Sequence, residues 1–358
     1  MLKAIQLLPG IQQRKLKIGY NKQCHMKNSD RITILTDPIP INEYFFSEWL
    51  KIIARKVVNF FRRDEYFRDS YFRGHFAVTK SLILGLRSLK YSFLYNPFRL
   101  YKNSNIFIVL AGIETLKQAI ELKRKGKIKY LFAGPNIITF STDCNSIIAS
   151  KEIDLVIVNS DWIAKLYIKD NVSISNRFIV WPAGVDSNFW CPSAFSIKKQ
   201  ILIYNKIQSD SSELEIYKKF LSSNGFEIKV LNYGSFTKEI YLSELQKSIL
   251  MIGFPNNSES QGIAWAEAWS CNVPLFVKYN NVNTINGITF ECSTAPYLNE
   301  LNGVFFNNFA DFVSNFQKWK NNEFDFKPRK WVLENATYEV TAKTLLNQIE
   351  NYVTYKGI

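Results

Sequence analysis

Apolar residues recur along this chain in short unbroken runs, separated by stretches in which they fall three and four positions apart. The first pattern reads as buried strand and the second as one face of a helix. In the first half, strands are predicted at 31–36, 106–110, 130–133, 155–159 and 177–181. Helices are predicted at 78–89, 112–125 and 161–168. In the second half, strands are predicted at 201–204, 227–231, 249–254 and 275–277, and helices at 211–224, 241–248, 310–320 and 339–352. Strands alternating with helices imply parallel sheets with helices on both faces. Another helical pattern, at 43–61, puts Phe46, Trp49, Leu50, Ile53 and Val57 on one side and Lys51, Arg55, Lys56, Arg62 and Arg63 on the other. Its apolar stripe reads as core, and its basic face suits solvent or a membrane surface. Residues 1–30 are polar and basic and show no period.

At 358 residues, with 47% hydrophobic content, the chain is long for one core, so two domains are expected. The net charge of +14 is uneven: residues 1–190 hold 29 Lys and Arg against 15 Asp and Glu, while the rest is balanced. That asymmetry speaks of partners rather than fold, such as a phosphate-bearing acceptor, an anionic membrane face or nucleic acid. The five cysteines are scattered, which fits a reducing compartment rather than a disulfide framework or a zinc site. No signal peptide or run of about 20 apolar residues is found, so a cytoplasmic setting is expected.

The chemistry concentrates at Ser258-Glu259-Ser260-Gln261-Gly262-Ile263-Ala264-Trp265-Ala266-Glu267-Ala268-Trp269, between two predicted strands. A glycine loop feeding a helix offers unpaired N–H groups and a positive dipole end, which suit phosphate. Gly262 lets the backbone approach a ligand closely, and the alanines keep the helix thin. Carboxylates at Glu259 and Glu267 suit hydroxyls rather than phosphate. The competing reading is an amphipathic helix with solvated glutamates.

This stretch resembles the nucleotide-sugar signature of retaining glycosyltransferases with the GT-B fold, of the family 4 type. Val158-Asn159-Ser160-Asp161-Trp162 and Pro182-Ala183-Gly184-Val185-Asp186 resemble two further family elements, the second with Ala183 where asparagine is usual. The first eighty residues match weakly: the family's double-glycine loop is not plain, and Arg73-Gly74-His75 is its nearest counterpart. The resemblance implies an α/β chain of two Rossmann-like domains with parallel sheets facing across a cleft. Residues 1–190 would bind the acceptor and residues 191–336 the nucleotide sugar, with a helix at 337–355 as a candidate to pack back on the first domain.

For individual residues, the resemblance implies that Glu267 accepts from ribose hydroxyls and that Glu259 orients the sugar. Lys206 and the Gln261-Gly262-Ile263 loop would meet the donor diphosphate. A second lysine, usual five positions after the first, is replaced by Ser211. Tyr233 with Gly234, at a strand end, could stack on a nucleobase or simply pack. Asn136 could bind an acceptor hydroxyl or a donor phosphate, or serve a turn. His75, one of two histidines, is a candidate general base on a cleft-facing loop, or a structural residue.

The activity implied is retaining transfer, of hexosyl type, from a nucleoside-diphosphate sugar to a glycan or polyprenol-linked acceptor, in surface polysaccharide synthesis. Asp143, Asp154 and Asp186 stand alone, so no metal and no other cofactor is expected. Two other classes stay open: a nucleotide-sugar epimerase or hydrolase of the same fold, and a non-catalytic module using its basic half on a membrane or anionic partner. Specific nucleic-acid binding is not expected, because no aromatic-basic recognition motif is present.

Overall fold

The computed structural model describes residues 31–36, 75–97, 104–194, 200–207 and 211–356. The predicted helix at 43–61 and the start of the chain lie outside the described residues, as do Arg73 and Gly74.

The first half holds strands β1 (Ile32–Leu35), β2 (Phe93–Tyr95), β3 (Ile106–Ala111), β4 (Tyr130–Asn136), β5 (Leu155–Val158) and β6 (Phe178–Val180). They form one sheet in the order β2-β1-β3-β4-β5-β6, with every pair parallel. Among the described residues, helices α1 (His75–Ser88), α2 (Ile113–Arg124) and α3 (Asp161–Asp170) accompany them, with one short helical turn at Asp143–Ser146. β3 is buried along its whole length, which is why it reads as an unbroken apolar run. Its side chains alternate, with Ile106, Ile108 and Leu110 in one core and Phe107 and Val109 in the other.

The second half holds β7 (Gln200–Asn205), β8 (Glu227–Asn232), β9 (Ser248–Phe254), β10 (Leu275–Lys278), β11 (Val282–Ile285), β12 (Ile288–Glu291) and β13 (Gly303–Phe306). Five of these form a second parallel sheet in the order β13-β10-β9-β7-β8. Its helices are α4 (Ser211–Ser223), α5 (Lys238–Lys247), α6 (Ile263–Ser270) and α7 (Phe309–Lys320). Here too the strands feed two cores, Leu202 and Tyr204 on one face of the sheet and Ile201 and Ile203 on the other.

β11 and β12 form an antiparallel hairpin that the sequence reading did not find. Asn286 and Gly287 both turn it with positive φ, at 51° and 79°. Asn-Gly between alternating residues is a strong hairpin signal, so this element was legible. Its docking was not. Phe290 and Cys292 are buried in the core of the first half, and the Phe290 ring stacks on Trp162 at 6.0 Å between centroids. The hairpin therefore straps the second half to the first.

The chain then forms α8 (Pro328–Asn335) and α9 (Tyr338–Lys356). α9 crosses back: Ala342, Leu345, Leu346 and Ile349 are buried with Val78, Leu82 and Leu86 of α1 in the first core. Trp181 Nε1 donates to Thr341 O at 3.0 Å. At the crossing Val185 N donates to Ala336 O at 2.8 Å, and Tyr338 N to Val185 O at 3.3 Å. The close approach of α1 and α9 depends on Gly85, where an added Cβ would stand 2.1 Å from Tyr338 O.

Gly85→Ala should therefore push α1 off α9. Overpacking of this kind costs ~1–3 kcal/mol. Differential scanning fluorimetry should show the melting temperature falling by several degrees, and an unchanged value would mean that α9 is not seated on α1.

Candidate functional site

β7 and β9 are neighbours, but the chain leaves them in opposite directions, β7 leading to β8 on one side and β9 to β10 on the other. Such a reversal opens a crevice beyond the carboxyl ends of parallel strands. Lys206 follows β7 directly, and the loop carrying Glu259 follows β9. Lys206 N donates to Phe254 O at 2.8 Å, which sets the two strand exits side by side.

The loop turns into α6 at Gly262, in the left-handed region at φ 75° and ψ 57°. A Cβ there would lie 2.2 Å from Cδ1 of Trp265, so both conformation and space call for glycine. The Trp265 ring is fully buried, and its Nε1 donates to Thr294 O at 3.0 Å. The opening N–H groups of a helix have no partner within it. Here that end of α6 lies on a cleft of about 240 Å³, lined by Gly262, Ile263 and Ala264.

Glu259 and Lys206 meet in this cleft, Nζ to Oε1 at 2.5 Å, with side chains only 14% and 15% exposed. The Glu259 backbone is held at both ends. Its N donates to Ser293 O at 2.8 Å, and its O accepts from Trp162 Nε1, across from the first half, at 3.0 Å. The Lys206 ammonium lies 5.1 Å from the Tyr233 ring centroid and 5.5 Å from that of Trp265, within cation–π range.

Glu267 lies one turn into α6 and lines the same cleft. Burial pushes its carboxyl up to about 8, opposed by the charges of Lys206 and Lys80. Lys80 belongs to α1 in the first half. Its own pKa is lowered by burial and by Lys238, and raised by Asp186 and Glu267. Charges from both halves thus act on Glu267.

The remaining expectations divide. Asn136 lines the cleft at the end of β4, which runs three residues past the strand read from sequence. Tyr233 lines it as well, whereas Gly234 makes a turn at φ 97° and is not among the lining residues. Gln261 lines the cleft, but its side chain is spent elsewhere. Its Oε1 accepts from Ala183 N at 3.0 Å and its Nε2 donates to Ala183 O at 2.5 Å. It therefore ties the loop to the segment joining the halves. His75 opens α1, so it sits on a helix and not on the expected loop. Ser211 opens α4.

Sequence reasoning gave no site role to four residues: Trp162, which anchors Glu259, and Asn159, which lines the cleft, both quoted only within the Val158–Trp162 resemblance; Lys80, whose charge acts on Glu267; and Lys238, which lines the cleft. Lys238 carried a local signal, since Thr237 caps the helix it opens, accepting from Ile240 N at 3.3 Å. The others reach the site through tertiary contact. Among the described residues, no three His, Cys, Asp or Glu side chains gather as a metal site, and no helix is long and apolar enough to cross a membrane.

No family profile matches the chain, and no curated protein matches its sequence. Solved structures do match. The Anabaena protein HepE in complex with UDP aligns at a TM-score of 0.51 and 10% identity, over 90% of this chain and 100% of that one. The lipopolysaccharide outer core galactosyltransferase WaaB, in its apo form, gives 0.48 at 12% identity, over 90% and 99%. Sucrose-phosphate synthase from Thermosynechococcus elongatus gives 0.46 at 10% identity, over 91% and 100%. With its two parallel sheets and the cleft between them, and with the HepE likeness, the chain has the GT-B fold of glycosyltransferases.

The Glu267 carboxyl has a consequence for stability. The folded chain holds its proton up to about 8, whereas the ordinary value is 4.5. A raised carboxyl pKa stabilises the fold fully below the ordinary value, and that contribution is lost as pH rises toward the folded one. Glu267→Gln removes this dependence. Urea unfolding at pH 5 and pH 8 should show the variant gaining on the natural chain at the higher pH, and parallel curves would contradict the burial of this charge.

Proposed function

We propose that this chain is a retaining, metal-independent glycosyltransferase that moves a sugar from a nucleoside-diphosphate sugar to a glycan or lipid-linked acceptor. The observation that carries the reading is the Lys206–Glu259 pair beside the start of α6, with Glu267 one turn beyond, at the β7/β9 crevice. The departing diphosphate develops negative charge. The Lys206 ammonium and the opening N–H groups of α6 supply positive groups where that charge appears. An ammonium carries three donors, so Lys206 can hold Glu259 and a phosphate oxygen together. It thereby does part of the work of the lysine missing at Ser211.

Glu259 accepts hydrogen bonds from hydroxyls of the transferred sugar, and Glu267 from those of the ribose. The bond from the sugar to the diphosphate oxygen breaks as the acceptor hydroxyl bonds to the same face of the sugar. The acceptor's proton passes to the departing phosphate, so no protein base is required and His75 need not serve as one. Tyr233 offers a face for a nucleobase. The basic excess in residues 1–190 suits a lipid-linked acceptor or an anionic membrane face, as in a surface polysaccharide pathway. HepE was crystallised with UDP, which makes UDP the first nucleotide to try.

Titration calorimetry with UDP, GDP and ADP tests the donor half. One nucleotide should bind, and Glu267→Ala should weaken it by about tenfold, the scale of a lost buried hydrogen bond. Binding of none would overturn the reading. Glu259→Gln should lower turnover by roughly 100-fold, the scale of an interaction made mainly in the transition state, with nucleotide affinity little changed. Equal loss of both would remove the orienting role.

A further inference from the structure

Besides the Lys206–Glu259 pair, the cleft is lined by two amide side chains from the first half, Asn136 and Asn159. Both have a buried polar atom that no group of the protein satisfies: Nδ2 of Asn136 and Oδ1 of Asn159. Asn159 is 5% exposed. A buried donor or acceptor left unpaired is destabilising, and native chains rarely keep one without a reason.

The fold brings both residues to the cleft where parallel strands end. β4 and β5 pair in parallel with Phe132 beside Leu155 and Ala133 beside Val156. β4 slips by one residue against β3 after Ala133, and each strand then runs on to the cleft, which Asn136 and Asn159 both line. Gly134 keeps the strands close on the way, since a Cβ there would lie 2.0 Å from Ile157 O. Asn159 is fixed further by Tyr297 of the second half, whose hydroxyl donates to its backbone oxygen.

The unpaired atoms are one donor and one acceptor. A phosphate oxygen accepts only, so it would satisfy Asn136 and repel Asn159. A hydroxyl both accepts and donates, so the hydroxyls of a sugar can answer both. We propose that Asn136 and Asn159 form a hydroxyl-binding subsite that holds the sugar of the donor from the first half, while Glu259 holds it from the second. This rests on the glycosyl-transfer reading above. It makes recognition of the sugar depend on both halves, whereas the nucleotide depends mainly on one.

The test compares affinity for a bare nucleoside diphosphate with affinity for its sugar, by calorimetry on the full chain. The probes are UDP with UDP-glucose, UDP-galactose and UDP-N-acetylglucosamine, and GDP with GDP-mannose. In the natural chain at least one sugar should add affinity over its diphosphate. Asn136→Ala and Asn159→Ala should each reduce that added factor by about tenfold, the scale of leaving a buried polar partner unmade, with affinity for the bare diphosphate kept within about twofold. Asn159→Asp keeps the acceptor oxygen and should retain more of the factor than Asn159→Ala, while Asn136→Asp loses the donor and should behave as Asn136→Ala. An unchanged sugar factor in the alanine variants overturns the subsite, even if turnover falls, because the hydroxyl would then belong to the acceptor. Equal loss for diphosphate and nucleotide sugar also overturns it, pointing to a structural role. Failure of the natural chain to bind any probe overturns the glycosyl-transfer reading first, and the subsite with it.

Discussion

The left-handed turn at Gly262, packed against the buried Trp265 ring, is the constraint on which the rest of the site depends. It sets the start of α6, and with it the direction in which the unpaired N–H groups face. It also fixes the relation of Glu259, just before the turn, to Glu267, one turn after it. Trp265 cannot move away, because its ring sits in the second core and its Nε1 is bonded to Thr294 O. Local backbone geometry and core packing thus hold the same few atoms, and a site held that way has little freedom to drift.

The two halves are joined through this same loop. Gln261 holds both backbone groups of Ala183, Trp162 reaches over to Glu259 O, and Tyr297 reaches back to Asn159 O. Two larger contacts reinforce the join, the hairpin that inserts Phe290 into the first core and α9 seated on α1. A cleft between domains can open only if such contacts yield. Because the loop at the site is itself one of the contacts, any movement between the halves is felt at Glu259 directly.

Charge inside the cleft is costly, and the arrangement shows how that cost is met. Lys206 and Glu259 neutralise one another among aromatic rings. For Glu267 burial outweighs the charges of Lys206 and Lys80, and its proton is held up to about 8. Replacing a buried ion pair by apolar residues is often neutral or stabilising. Retention of this ion pair, with a buried acid beside it, in one crevice is therefore better explained by what they bind than by what they add to the fold. The positive excess of the chain lies elsewhere, in residues 1–190, and speaks of partners rather than of this crevice.

Much of this was legible from the order of residues. Wholly buried strands such as β3 and β7 show as apolar runs, the loop-to-helix turn shows as a glycine before small residues, and Lys206 shows as a charge at a strand exit. The Asn286-Gly287 hairpin and α8, with its proline in the first turn, carried readable signals as well. These features depend on neighbours a few positions away, and such neighbours are written side by side in the chain. Three facts about the site were not readable. Gln261 is committed to Ala183, Trp162 supports Glu259, and Asn136 and Asn159 each bring an unsatisfied atom to the same cleft. Each is a relation between residues tens of positions apart, created by tertiary packing around one cleft. An amide in a sequence is a donor and an acceptor without a direction, and packing alone determines whether it is used up in the fold or left facing a ligand.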